Sequence, residues 1–180
     1  MAIPQKAGKV KLLIGVLFSE TKLLNSAEAA LTEKFGEIDY RSPIFPFDLT
    51  DFYQAEMGEN LKRIFYSFAE LIDPAEIAEI KHLTNQIEAE LCPAGQRKIN
   101  LDPGYLDYFK LVLASFKFGG EKVYLGRGVY ADITLWYEKG KFKPFIWGFP
   151  DFKTGCYNET LLKIRELYKK AISHKGTGKV

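Results

Sequence analysis

The sequence predicts an α+β fold in one two-layer domain, and three observations lead there. Over residues 9–101, strand and helix patterns follow one another as β-α-β-β-α-β, the ferredoxin-like arrangement. Residues 110–147 then switch to short alternating segments broken by glycine-containing turns, which read as antiparallel strands and hairpins. A length of 180 residues, 47% hydrophobic and 27% charged, suits one globular domain able to bury a core. The expected domain spans 1–180, with its core at about 8–172 and a flexible tail at 173–180.

KVKLLIGVLF (9–18) is too short for most helices and rich in Val, Ile and Leu, so it reads as a central strand buried on both faces. In the helix that follows, Asn25 is the expected N-cap and Glu28 sits three residues beyond it. Ala27, Ala30, Leu31 and Phe35 form its buried stripe, and Gly36 is its stop. IDYRSPIFPFD (38–48) is extended, with Pro43 and Pro46 suited to an edge strand or an irregular loop. Residues 50–58 give a short helical turn before Gly58. KRIFYSFAELI (62–72) is aromatic and β-branched enough for a strand, with a helix as the alternative. Asp73 as N-cap, Pro74 at N1 and Glu76 at N3 open the clearest helix. Its apolar face is Ile77, Ile80, Thr84, Ile87 and Leu91; Pro93 and Gly95 end it, and RKINL (97–101) supplies the closing strand.

The second half offers strands at 110–118, 121–126, 129–138 and 141–147. Lys139-Gly140 is a hairpin signal, and Gly119-Gly120 and Gly126-Arg127-Gly128 mark further turns. A last helix covers 159–172 on Leu161, Ile164, Leu167, Tyr168 and Ala171, with Asn158 as its cap.

Twenty-five basic residues against 23 acidic ones give a formal charge of +2, but the charge is segregated. Residues 43–91 carry a net −7 and residues 138–180 a net +6. This excludes a uniformly basic nucleic-acid binder and leaves a basic C-terminal face. No apolar run approaches the roughly 20 residues of a membrane span, and MAIPQKAGKV lacks a signal-peptide core, so no membrane partner is expected. Two cysteines give no disulfide framework and place the chain in a reducing cytoplasm. With only two histidines beside them, a four-ligand zinc site is not expected.

The familiar catalytic motifs fail on context. Gly-Thr-Gly-Lys (176–179) follows a helix at the chain end, whereas a phosphate-binding loop must run from a strand into a helix. His82-Leu83-Thr84 resembles one of the two H-x-T motifs of RNA-processing phosphoesterases, but there is one copy and it lies in the clearest helix. Cys156, near the start of the last helix, is the more interesting thiol, and an inert cysteine is the simpler reading.

Polar residues interleaved with aromatics remain. PFDLTDFYQAEMGE offers Asp48, Asp51, Tyr53 and Glu56; RKINLDPGYLDY offers Arg97, Asn100, Asp102, Tyr105 and Asp107; LGRGVYAD offers Arg127, Tyr130 and Asp132; WGFPDF offers Trp147 and Asp151. Taken singly, most have structural explanations: Asp102 in Asp-Pro-Gly-Tyr reads as a turn cap, and Asp48 and Asp51 as helix initiators. Together they suggest a carboxylate- and aromatic-lined pocket for a small polar or phosphorylated ligand, with Mg²⁺ as a candidate cofactor. The alternative is a non-catalytic module that binds RNA or an acidic protein through Lys139, Lys141, Lys143, Lys153, Lys163, Arg165, Lys169 and Lys170.

VKLLIGVLFS, IFPFDLTDFYQAEMG, SFAELIDPAEIAEIKHLTNQIE, RKINLDPGYLDYFKLVLASFK, YLGRGVYADITLWYEKGKF and WGFPDF occur in unbroken order over roughly 8–172. In these segments the chain resembles the bacterial and archaeal family of domain of unknown function 4416. The resemblance implies no established activity and assigns no residue a role. Some members carry a GTP-binding label. This sequence has no P-loop, no Asn-Lys-x-Asp and no strand-linked Asp-x-x-Gly to support it.

Overall fold

The computed structural model describes residues 1–50, 53–92 and 97–176. The chain runs β1 (Val10–Phe18), α1 (Thr21–Phe35), β2 (Ile38–Arg41), β3 (Phe45–Pro46), α2 (Gln54–Met57) and β4 (Lys62–Ile72). A single 3₁₀ turn (Pro74–Glu76) leads into α3 (Ile77–Leu91), and β5 (Ile99–Leu106), β6 (Lys110–Ser115), β7 (Val123–Gly126), β8 (Val129–Glu138) and β9 (Lys141–Pro144) follow. α4 (Pro150–Lys153) and α5 (Asn158–Gly176) complete it. The fold is α+β. Among the described residues the strands form one sheet in the order β2-β4-β1-β5-β6-β8-β7, with β3 beside β4 and β9 beside β8. Every pairing is antiparallel.

Helices cover both faces, so the expected two layers become three. All nine residues of β1 are buried. Leu12, Ile14, Val16 and Phe18 pack under α1 and α3 with Leu24, Leu31, Ile77 and Ile80. Leu13, on the other side of the strand, packs with Phe65, Leu161 and Ile164 beneath α5. A strand with no solvent face needs a cover on each side, and α5 supplies the second. Each fully buried leucine or isoleucine in these layers contributes about 1.5–3 kcal/mol. Among the described residues no helix is long and apolar enough to cross a membrane.

Three local expectations are corrected. α1 begins at Thr21, and Glu20 O accepts from the N–H groups of Leu23 and Leu24; Asn25 lies inside the helix because burying Leu24 with Ala27 and Leu31 extends the stripe one turn earlier. Asn158 does not cap α5: its Oδ1 accepts from Phe142 N–H at 2.9 Å and ties the helix to β9. Asp-Pro-Gly-Tyr is not a turn but the middle of β5. Asp73 does cap the 3₁₀ turn through Ala75 N–H, and Lys139 and Gly140 both take positive φ in the β8–β9 hairpin. Pro93 and Gly95 lie outside the described residues.

Candidate functional site

β5 and β6 part company halfway along. They pair only at Gly104–Leu106 with Leu111–Leu113, while β1 pairs with β5 along its whole length. Gly104 marks the divide: a Cβ there would lie 2.4 Å from Val112 O, so only glycine admits the last close pairing. Upstream of it, the β5 edge facing away from β1 has no strand beside it among the described residues. Two side chains of α3 replace the strand. Glu88 Oε1 accepts from Leu101 N–H at 2.5 Å, and Lys81 Nζ donates to Leu101 O at 3.1 Å. Pro103 lies on the same edge two residues later, so its missing N–H removes no ladder bond with β1.

The divergence opens a cavity of about 460 Å³, reaching from Lys81 and Asn85 of α3 to Asp151 and Phe152 of α4. On its floor Asn100 and Asp102 project from the same face of β5. Neither side chain makes a hydrogen bond to another described residue. Asn100 is 2% exposed, and its buried Nδ2 has no acceptor among the described residues. The Asp102 carboxylate lies 3.7 Å from Lys81 Nζ and 3.9 Å from Arg63 Nη2, in ionic contact but beyond hydrogen-bond reach. Among the described residues five cations line the cavity (Arg63, Lys81, Arg97, Lys117 and Lys122) against three carboxylates (Asp102, Asp132 and Asp151). Phe47, Tyr53, Phe116, Phe118, Phe149 and Phe152 make its walls.

Burial and charge shape the groups around the site. Arg63 forms a buried ion pair with Asp151, whose Oδ2 also accepts from Tyr157 OH at 3.0 Å; the guanidinium lies 4.6 Å from the centre of the Phe47 ring. Burial pulls the Arg63 pKa down, but Asp151, Tyr157 and Asp102 outweigh it and hold the guanidinium more firmly charged. Arg97 contacts Glu88 at 3.0 Å and Glu56 at 3.5 Å, and its buried Nε has no acceptor among the described residues. Burial raises the Glu88 carboxyl against the opposing pull of Arg97 and Lys81. Burial likewise raises Asp132, 3.7 Å from Lys122, and pushes the Tyr53 phenol up to about 12.

Of the residues singled out from sequence, Tyr53, Arg97, Asn100 and Asp102 line this cavity, with Glu56 at its edge on Arg97. The segments around 53–56 and 97–102 therefore meet in space. Asp48 is exposed beside a separate depression with Ile44, Glu59 and Lys62. Tyr105 packs with the core under α1 and α3, because strand alternation turns odd-numbered β5 residues away from the cavity. Arg127 sits at the exposed β7–β8 turn, paired with Glu79. Tyr130 contacts the ring of Phe118 at 5.9 Å without lining the cavity. Asp51 lies outside the described residues.

Asp132 and Asp151, which the sequence also marks, line the cavity too, whereas Arg63, Lys81, Glu88 and Lys122 are not among the residues it marks. A signal for two of them existed: Lys81 and Glu88 stand a heptad apart within the apolar stripe of α3, where charged side chains need partners. No three His, Cys, Asp or Glu side chains among the described residues gather as a metal cradle. Part of the basic C-terminal third is already engaged: Lys143 pairs with Glu138, Lys163 with Glu166, and Arg165 lies 3.7 Å over the Tyr137 ring.

Fold and site define an α+β protein with a polar, aromatic-walled pocket at a divergence in its antiparallel sheet. The chain belongs to the family described as domain of unknown function (DUF4416), whose model matches residues 8–168. No curated protein and no solved structure matches it.

Proposed function

We propose that this chain binds a small polar metabolite carrying a phosphate or carboxylate group in the β5–β6 cavity. One observation carries the reading: Asn100 and Asp102 present unspent hydrogen-bonding capacity to a cavity of about 460 Å³ in which cations outnumber carboxylates. A buried amide without a partner is a standing cost, and a turn of the Asn100 amide about χ2 that brings Nδ2 to the cavity lets a ligand acceptor remove it. Metal assistance has less support, since each carboxylate lining the cavity already faces a lysine or arginine.

Thermal unfolding of the full chain against inorganic phosphate, sugar phosphates, nucleotides and small carboxylates tests the proposal. A ligand at a hundred times its Kd stabilises the native state by about 2.7 kcal/mol. For a domain of this size that raises Tm by about 5–10 °C. The proposal fails if no member of the panel raises Tm, or if a raised Tm persists unchanged in Asp102→Asn and Arg97→Gln.

A further inference from the structure

The floor and the walls of the pocket make different demands. The cations suit an anion, yet Asp102 and Asp132 line the same cavity and repel one. A bare phosphate or sugar phosphate also leaves the aromatic walls unused, and several of these are wet: Phe116 is 38% exposed, Phe149 46% and Phe118 77%. A ligand that answers every feature holds its anion near the cations, offers N–H to a carboxylate, and has an apolar face for the rings.

The floor narrows this further. Asn100 and Asp102 are two residues apart on one strand face, about 7 Å along it. The first offers an amide donor and an acceptor, and the second an acceptor only. Donors and acceptors alternating in one plane are the edge of a nitrogen heterocycle, which an asparagine amide can engage in bidentate fashion; for Asn100 this takes a turn about χ2 that frees Nδ2 from its buried place. Stacking between aromatic side chains is the usual companion of such edge recognition.

Building on the pocket reading above, we infer that the ligand is a planar nitrogen heterocycle bearing an anionic group. Asn100 and Asp102 hold its edge, and the aromatic walls cover its faces. Phe116 and Phe149, from the β6 and α4 sides of the cavity, are the covering rings.

Calorimetric titration of the full chain with inorganic phosphate, ribose 5-phosphate and the four common nucleoside 5′-monophosphates tests this. At least one nucleotide should bind tenfold or more tightly than ribose 5-phosphate. Asn100→Leu should weaken the nucleotide tenfold or more and bring it level with ribose 5-phosphate. Phe149→Ala, a change at a half-exposed ring that leaves folding intact, should weaken the nucleotide about fivefold and the sugar phosphate not at all. If ribose 5-phosphate binds as tightly as all four nucleotides, the heterocycle is wrong and the anion pocket stands. If neither phosphate nor any of these esters binds, the heterocycle falls, and the pocket reading falls with it when the small carboxylates of the thermal panel also fail to bind.

Discussion

Replacing Asn100 with leucine should make the ligand-free protein more stable. The residue is 2% exposed, Nδ2 is shut from water, and the side chain makes no hydrogen bond to another described residue. A buried polar group left unpaired costs about 1–3 kcal/mol, and leucine has the same branched heavy-atom skeleton without that cost, its bulkier methyl groups having the adjoining cavity to enter. Asn100→Leu should therefore raise the unfolding free energy by about 1–3 kcal/mol, or Tm by about 2–10 °C at the slope of a domain this size. Urea unfolding of wild type and variant reads this directly, provided the m-value is unchanged. The same variant should bind the ligand about tenfold or more weakly, since one hydrogen bond to a charged or polarised acceptor is worth about 1.5–3 kcal/mol. Gaining stability while losing binding is the signature of a functional residue kept at a cost. A loss of more than 1 kcal/mol in the ligand-free protein would show that the amide is satisfied in the native state and would refute the reasoning.

Gly104→Ala should destabilise by about 1–3 kcal/mol or more, because its Cβ meets Val112 O at 2.4 Å and the β5–β6 pairing must move; urea midpoints check it, and an unchanged midpoint counts against the close approach. Asp151→Asn leaves the buried Arg63 guanidinium short of its main counter-charge, and a loss of about 3–5 kcal/mol is expected, with less than 1 kcal/mol showing that Asp102 suffices. Burial raises Glu88 above 4.5, so the folded state binds its proton more tightly than the unfolded one. Its contribution to stability therefore falls as pH climbs from about 4.5 through the raised value. The wild-type-minus-Glu88→Gln stability difference should decline over that range in urea titrations at successive pH values, and a flat difference would remove the shift.

What the sequence made legible was governed by local periodicity. β1 announced burial on both faces through an unbroken apolar run, and α3 announced itself through Asp73, Pro74 and a stripe of isoleucines. The Lys139-Gly140 hairpin followed from turn chemistry alone. β5 did not, because Pro103 and Gly104 are turn residues by every local rule and strand residues only where a neighbouring strand stops. That stop is tertiary: it depends on where β6 approaches and on α3 supplying Lys81 and Glu88. Half of the pocket was visible for a related reason. Tyr53, Arg97, Asn100 and Asp102 stood in segments that regular structure did not explain. Arg63 sat inside a well-behaved strand, where alternation hides a polar residue until the strand's surroundings are known.

The divergence between β5 and β6 is specified at each step by residues that make it cheaper than continued pairing. Extending the ladder past Gly104 would bring β6 against Pro103, which has no N–H to give. Leaving the edge bare would strand the Leu101 N–H and C=O in a buried place, a cost of about 1–3 kcal/mol for each group. Glu88 and Lys81 remove that cost, but as two buried charges they need counter-charges of their own. Glu88 finds Arg97, and Lys81 finds Asp102 at 3.7 Å. An apolar plug would close the gap with fewer polar atoms and, by the usual balance for buried ion pairs, with equal or greater stability. The chain instead carries a linked set of charges ending in Asp102 and, beside it, an amide with no partner. Strand closure accounts for Glu88 and Lys81, and for Arg97 and Asp102 as their partners. It does not account for Asn100, and that residue is where a ligand has to enter the reasoning.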